Sequence, residues 1–182
     1  MLSGIKFTGV TIAAIWFGGT VFFTFFVAQA FFVDPIKTLL PPPYNGQVAQ
    51  YILERFYTLH YICGVLALLH LGFDWIYTGK VMPQRNLVTV LGVLVIAIIG
   101  GNYMHPKLEK YHQIKYSEQY QVEASPELKE QAKSGFRVWH GISQGANLLI
   151  LLMLWYYLWQ MLHPKEGPKY FGGGRFNIDN QH

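Results

Sequence analysis

Three histidines at one predicted depth are the residues of this sequence best suited to chemistry. His60, His105 and His140 fall in or at the end of three different apolar segments, and a rise of about 1.5 Å per residue puts each near the same end of its predicted helix. Imidazole is the commonest protein ligand for transition metals, and two facing histidines can hold a b-type haem. The three are therefore candidate ligands for copper or zinc, with His60 and His140 as candidate axial ligands of haem b. The alternative is that they only hydrogen-bond to carbonyl groups or lipid headgroups.

A polar stripe crosses the apolar segment that begins at residue 136. Its members are Arg137, His140, Ser143, Gln144 and Asn147, flanked by the small-xxx-small pair Gly141 and Gly145. Small residues let another helix approach closely in a bilayer, where packing and interhelical hydrogen bonds drive association. We therefore expect this face to meet protein, either as hydrogen-bonding glue or as a functional site, since ionisable residues at membrane depth mark pathways, relays or ligands.

A second polar and small-residue stripe lies on the segment 56–77. At about 100° per residue its members fall within roughly 120° of arc. They are His60, Cys63, Gly64, Ala67, His70 and Asp74. Cys63 is the single cysteine, so the chain forms no internal disulfide and has no CxxC motif.

The composition is that of an integral membrane protein. Of 182 residues, 52% are hydrophobic and only 13% are charged, against about 25% charged in soluble domains. The net charge of +4 is spread without a block of like charge, which gives nucleic-acid binding no support. Nucleotide-binding, HExxH and GxSxG motifs are absent from the sequence, which makes an enzyme the weaker interpretation.

Four segments are long enough to cross a membrane. We expect helices at about 7–33, 56–77, 86–104 and 136–162, joined as an antiparallel four-helix transmembrane bundle within one domain, residues 1–164. Gly100, Gly101 and Pro106 predict that the third helix loosens or ends near residue 104. Ser125 before Pro126 is a good N-cap, which favours an earlier start for the fourth helix, outside the membrane. The Gly-rich tail, 165–182, is predicted to dock on a partner.

Several short motifs resemble a known family. They are Trp16-Phe17-Gly18-Gly19, Glu54-Arg55-Phe56-Tyr57, His105-Pro106 and the run from Phe136 through Arg137, His140 and Ser143 to Asn147. Over roughly residues 5–162 the chain is similar to the four-helix membrane proteins grouped with transmembrane protein 205, and more distantly to the copper-resistance D membrane domains. The resemblance implies a four-helix bundle of unassigned activity and makes metal handling conceivable, although the Met-rich and His-rich runs expected of copper transport are missing.

The sequence thus predicts an all-α, multi-pass protein of the bacterial inner or plasma membrane. Its predicted role is that of a non-catalytic accessory or structural subunit, in contact with lipid and with other membrane subunits. One alternative is a haem b or copper protein for electron transfer or metal handling, with Arg55 and Arg137 neutralising haem propionates or gating an anion. A second alternative is a small-molecule transporter along the Gln144 to Asn147 stripe, which requires a water-lined cavity reaching both faces.

Overall fold

The computed structural model describes residues 2–79 and 83–164, and in these ranges the chain is helical without a strand. The elements are α1 (Leu2–Phe22), π1 (Phe23–Val27), α2 (Ala28–Ala30), α3 (Ile36–Leu39), α4 (Tyr44–Thr78), α5 (Gln84–Ile99), π2 (Gly100–Met104), α6 (His105–Lys115), α7 (Ser117–Tyr120) and α8 (Pro126–Leu162). Four stretches are long and apolar enough to cross a membrane: Gly4–Ala30, Tyr44–Thr78, Gln84–Lys115 and Pro126–Leu162. The prediction of an all-α, multi-pass integral membrane protein is confirmed.

The four long helices pack in a ring, with α1 against α4, α4 against α5, α5 against α8 and α8 against α1. We call the end that carries residues 31–43 and 116–125 the loop side, and the opposite end the terminus side. The core occupies the middle and the terminus side of the ring. Its buried members are Ala13, Trp16, Cys63, Ala67, Leu71, Val90, Val93, Ile150, Leu154 and Tyr157.

The small-residue stripe on α4 faces inward, as its pattern indicates. A Cβ atom on Gly64 would lie 2.7 Å from Cγ of Leu94 on α5. On the other side of α4, a Cβ on Gly9 of α1 would lie 2.6 Å from Nε2 of His70. These glycines let three helices approach one another closely, which is how helices associate in a bilayer.

Two helices are longer than the sequence indicates. The second begins at Tyr44 instead of residue 56, so that the mixed polar and apolar segment before residue 56 belongs to the same helix. The third loosens at Gly100–Met104, as predicted, but does not end there, since π2 leads directly into α6 with Pro106 in its first turn. A proline clashes with the carbonyl four residues before it in a regular helix, and the wider π-helical turn relieves that clash.

The fourth helix begins at Pro126, as the N-cap pattern favours. The Leu128 N–H donates to Ser125 Oγ at 3.2 Å, which satisfies one of the free backbone donors of the first turn. The predicted docking tail, residues 165–182, lies outside the described residues.

Candidate functional site

A cavity of about 800 Å³ opens among the four long helices on the loop side. Its walls are the end of the first span with residues 31–37, the start of α4, the stretch from the end of α5 through π2 to α6, and the first half of α8. Ligand pockets commonly enclose about 300 to 1,000 Å³. We call this space the loop-side cavity.

The charged side chains of the described lining lie at the loop end of the cavity. That end is lined by Lys37, Asn45, His112, Lys115 and Tyr116 together with apolar residues such as Phe31 and Val33. The deep end is lined mainly by large apolar side chains, namely Phe23, Phe56, Ile96, Ile150 and Leu151, with Thr24 and Asn147 among them. Along α8 the lining runs from Phe136 to Leu151, a distance of roughly 22 Å at 1.5 Å per residue, so the cavity is elongated along the helices.

Both π-helical turns border the cavity. In π1 the Ala28 N–H donates to the Phe23 carbonyl, and in π2 the His105 N–H donates to the Gly100 carbonyl, each five residues back. Such turns are rare and are frequent at functional sites. Two of them, on different spans and facing one cavity, mark this region as a candidate site.

The first π-helical turn connects α1 to the polar stripe of α8. The Thr24 hydroxyl donates to the Thr20 carbonyl at 2.8 Å and accepts a hydrogen bond from Asn147 Nδ2 at 2.8 Å. Asn147 Oδ1 is buried and has no hydrogen-bond partner among the described residues. The stripe therefore contributes one interhelical bond and one free acceptor at the cavity wall.

The second π-helical turn lies against α4. A Cβ on Gly100 would lie 2.7 Å from Cε1 of Tyr57, so the absence of a side chain lets the aromatic ring pack directly on the turn. One helical turn further along α4, the Tyr61 hydroxyl donates to the Ala97 carbonyl at 3.3 Å. Tyr57 also lines the cavity, and the turn thereby fixes part of its wall.

The predicted stripe on α8 divides into two parts. His140, Ser143, Gln144 and Asn147 line the cavity, whereas Arg137 is exposed and does not. The flanking pair Gly141 and Gly145 is also exposed, and a Cβ at either position would meet no atom within 4 Å. The expectation that these glycines bring another helix close is therefore not met within the described chain, because the helices that pack on α8 contact its other faces.

His60 is buried apart from the cavity. Its Nδ1 accepts a hydrogen bond from Trp16 Nε1 at 2.7 Å, so the neutral ring carries its proton on Nε2. That Nε2 is buried without a hydrogen-bond partner among the described residues. The ring of Phe56, 4.5 Å away in a T-shaped contact, itself lines the cavity. His60 has no accessible surface and does not reach the cavity.

The other two candidate ligands lie on the cavity wall. His105 Nε2 bonds to the Gln50 carbonyl at 3.2 Å, and the His140 ring stacks on Phe136 at 5.7 Å. Within residues 2–79 and 83–164, no three His, Cys, Asp or Glu side chains are grouped to hold a metal ion. The structure thus joins His60, His105 and His140 in no metal site and brings His60 and His140 into no common cavity.

The stripe on α4 continues to the terminus side, away from the cavity. His70 Nε2 bonds to the Ile5 carbonyl at 2.8 Å, and Asp74 is half-buried one turn further. Neither residue lines the loop-side cavity. His70 thereby joins α4 to α1, and Asp74 follows it on the same face of α4.

The predicted site did not include three cationic or titratable residues of the cavity, namely Lys37, His112 and Lys115; of these, His112 could join it only if the third helix continued past Pro106, as it does. His112 and Lys115 lie on α6, beyond the predicted end of the third helix. His112 Nδ1 lies 3.3 Å from the Tyr120 hydroxyl, and Lys115 Nζ lies 4.8 Å from the centre of the Tyr116 ring. Helical spacing continued past Pro106 would have predicted this, because it places His112 and Lys115 one turn apart on one face of the helix.

Among the described residues, the lining carries no Asp or Glu. Lys37 and Lys115 are the charged residues of this described lining, and the ion pairs of the described chain, Lys129 with Glu118 and Lys133 with Glu130, use other lysines. The described part of the cavity therefore offers hydrogen-bond donors and positive charge at its loop-side end, and no compensating carboxylate.

Comparison with known proteins gives one match. The family described as a domain of unknown function (DUF4149) matches residues 11–117, which is more than half of the chain and includes three walls of the cavity but not α8. Curated proteins and solved structures gave no match. The match shows no link to transmembrane protein 205 or to the copper-resistance D membrane domains.

Proposed function

The chain belongs to the DUF4149 family of domains of unknown function, and we propose that it is a non-catalytic, multi-pass membrane protein that binds a membrane-soluble small molecule in the loop-side cavity. The observation that carries this proposal is the cavity itself, about 800 Å³ and walled by all four spans. An apolar pocket with a few converging polar groups is the usual form of a small-molecule site.

The geometry favours this role over the alternatives that the histidines suggest. Haem ligation by His60 and His140 requires Phe56 to leave its place between His60 and the cavity. Transport requires a path to the terminus side, where Trp16 and Leu154 are almost completely buried in the core. Binding in the loop-side cavity requires neither change.

The proposal is tested by filling the cavity. Ala146 lines it, and Ala146→Trp places a large ring in that space. Val138→Trp is the matched control, because Val138 is exposed on the same helix and outside the lining. Native mass spectrometry of protein released from its own membranes is expected to find a small molecule on the wild type and on the control, and none on Ala146→Trp.

The same preparation distinguishes the other roles. A Soret band or stoichiometric copper, lost in His140→Ala, would support the haem or copper alternative. A ligand that remains bound to Ala146→Trp at the wild-type level would contradict the cavity as its site.

A role as accessory subunit of a larger membrane complex is the second candidate, and the exposed face of α8 favours it. That face repeats at alternating spacings of three and four, which is the heptad pattern of paired helices. Its members are Val138, Gly141, Gly145, Leu148, Leu152, Trp155 and Trp159, all exposed. The open space over both glycines would admit a partner helix at short distance.

Substitution of the glycine pair tests this second role. Gly141→Leu is expected to reduce the protein that co-purifies with a larger complex, whereas Gly18→Leu is the control, since Gly18 is equally open on α1. Truncation after Pro164 tests the predicted docking of the tail in the same assay. A native-membrane complex that is unchanged in Gly141→Leu would contradict docking at this face.

A further inference from the structure

The charge of the loop-side cavity indicates the class of molecule that it takes. We infer that the ligand is a single-chain amphiphile with an anionic head group, bound with its head at Lys115 and Lys37 and its chain at the deep end. This inference rests on the proposed binding function and names its ligand class.

The head-group end has positive charge, and no residue of the described ranges 2–79 and 83–164 forms an ion pair with it. Lys115 is half-buried, and its Nζ lies between the Tyr116 and Phe136 rings, at 4.8 and 5.7 Å from their centres. Of the acids nearest in sequence, Glu118 pairs with Lys129 at 2.9 Å. Asp34 accepts a hydrogen bond from the Thr38 hydroxyl at 3.0 Å and forms no ion pair with Lys37 in the described chain. A partly desolvated cation gains most from a counter-charge, and an anionic ligand head supplies it.

The deep part of the cavity is long enough, and apolar enough along most of its wall, to hold an acyl chain. A chain that spans one leaflet covers about half of the roughly 30 Å hydrocarbon core, and the cavity extends roughly 22 Å along α8. Phe23, Ile150 and Leu151 line its inner part. A chain bound there exchanges lipid contacts for protein contacts without exposing apolar surface to water.

The side of the cavity gives such a molecule a way in from the bilayer. The cavity is partly open to its surroundings, and the accessible side chains of His140 and Gln144 lie on its α8 wall. The head-group end lies in the polar extension formed by α6, whose sequence HPKLEKYHQIK is too hydrophilic for the hydrocarbon core. The head can therefore remain at the aqueous boundary while the chain enters laterally.

The charge pattern also disfavours other amphiphiles. A cationic head would be repelled by Lys37 and Lys115, and a neutral head would leave both lysines without a counter-charge. The inference therefore separates anionic molecules from neutral molecules with the same chain.

The experiment uses the full-length protein in nanodiscs of zwitterionic phosphatidylcholine. Palmitate, hexadecyl phosphate and hexadecanol are the probes, which share one chain and differ in the head. Bound probe is counted by native mass spectrometry over a range of concentrations. We expect one palmitate or hexadecyl phosphate per chain, and at least tenfold weaker binding of hexadecanol. The stronger of the two anions indicates whether the natural head is a carboxylate or a phosphate.

Variants of one lysine supply the decisive comparison. Lys115→Gln is expected to weaken binding of the anionic probes at least tenfold and to leave hexadecanol unchanged, whereas Lys115→Arg keeps the charge and restores binding. Lys110→Gln is the control, because Lys110 is exposed on the same helix and outside the lining. Size-exclusion profiles identify any variant that fails to fold, in which case Lys37→Gln carries the test.

Two results would overturn the inference. They are equal binding of palmitate and hexadecanol, and wild-type palmitate binding by folded Lys115→Gln and Lys37→Gln. If the probes still bind and Ala146→Trp abolishes that binding, only the anionic class fails and the cavity remains a binding site. If no probe is sensitive to Ala146→Trp, the proposed function fails as well.

Discussion

The terminus-side and loop-side halves of the bundle are built from the same four helices and are packed in opposite ways. In the terminus-side half, small residues face large ones, as Gly64 faces Leu94 and Gly9 faces His70. In the loop-side half, Gly100 still faces a large residue, Tyr57, but Ala28, Ala49 and Ala146 line an open cavity. The space beside a small residue is filled only where a large side chain of a neighbouring helix enters it.

The two π-helical turns coincide with the change from one half to the other. Each inserts an additional residue into its helix turn and so shifts the direction of every side chain that follows. Residues after Val27 on the first span and after Met104 on the third therefore continue on faces different from those of the packed core. The cavity thus lies where the register of two helices changes, and the packed core lies where it does not.

The largest effect is expected from opening the packed half. Leu154 is 1% exposed in the core, and Leu154→Ala leaves a void there. In water, such a substitution costs both the transfer free energy of the removed atoms and the energy of the void that they leave. In a membrane the unfolded helices are surrounded by lipid, so the transfer part is small and the void part remains. We therefore expect the free energy of unfolding to fall by about 1 to 3 kcal/mol. The measurement is unfolding in mixed micelles by denaturing detergent.

Leu148→Ala is the matched control for this prediction. Leu148 lies on the same helix, borders the loop-side cavity and is 57% exposed. Its truncation removes few contacts, so the midpoint of unfolding should stay close to that of the wild type. Equal losses in the two variants would contradict the distinction between a packed and an open half.

A smaller effect is expected where the two halves meet, at His60. Trp16→Phe removes the Nε1 donor to His60 Nδ1 and leaves both ring nitrogens buried without a partner. Hydrogen bonds between membrane helices contribute on average about 0.6 kcal/mol and at most about 1.7 kcal/mol to stability. Because the variant leaves His60 Nδ1 buried without a partner, we expect the loss of stability to lie near the upper value. Trp75→Phe is the control, since Trp75 is exposed on α4, and a loss of equal size there would contradict the assignment.

The packed half follows from sequence patterns, and the open half does not. The stripe through His60, Ala67 and His70 indicates the inward face of α4, because helical periodicity depends only on local spacing. Whether a small residue meets a large one depends on the register between helices. Gly141 and Gly145 have the small-xxx-small spacing that is typical of closely packed helices, yet they face open space, and nothing in their own helix indicates this.

The candidate site was missed where helix geometry departs from the regular period. Gly100, Gly101 and Pro106 predict that the helix loosens or ends; it loosens at π2 and continues to Lys115. That continuation places His112 and Lys115 at the cavity. Depth counting put His60, His105 and His140 at one level, but it carries no information on direction, and His60 points toward Trp16 while the other two face the cavity.

A still smaller effect is expected in the open half, at π1. Thr24→Val removes the acceptor for Asn147 Nδ2 and the donor to the Thr20 carbonyl, with little change in volume. We expect the free energy of unfolding, measured by the same detergent unfolding, to fall by about 0.6 kcal/mol. In a double-mutant cycle with Asn147→Leu, the interaction energy between the two side chains should account for most of this loss. The control is Thr11→Val, whose hydroxyl bonds only within its own exposed helix turn, to the Phe7 carbonyl at 2.8 Å. Additive losses in the cycle would show that the bond does not join α1 to α8.

The smallest effect is expected at the outer edge of the open half, where Lys129 and Glu118 form an exposed ion pair at 2.9 Å. The hydrogen bond and charge of Lys129 lower the pKa of the Glu118 carboxyl below its usual range. A carboxyl group with a lowered folded-state pKa stabilises the fold above its unfolded pKa and loses that contribution as the pH falls through the folded value. Because the pair is exposed, its contribution at neutral pH is small.

Lys129→Met should therefore raise the Glu118 pKa toward its ordinary value, as followed by carbon NMR of selectively labelled glutamate. The unfolding midpoint at neutral pH should hardly change, and the slight difference from the wild type should vanish in acid, where Glu118 is protonated in both proteins. Lys133→Met breaks the neighbouring pair with Glu130, at 3.5 Å, and should leave the Glu118 titration in place. If the Glu118 pKa is the same with and without Lys129, this pair does not hold α7 against α8. If the unfolding midpoint changes strongly, the packed core extends to the loop side.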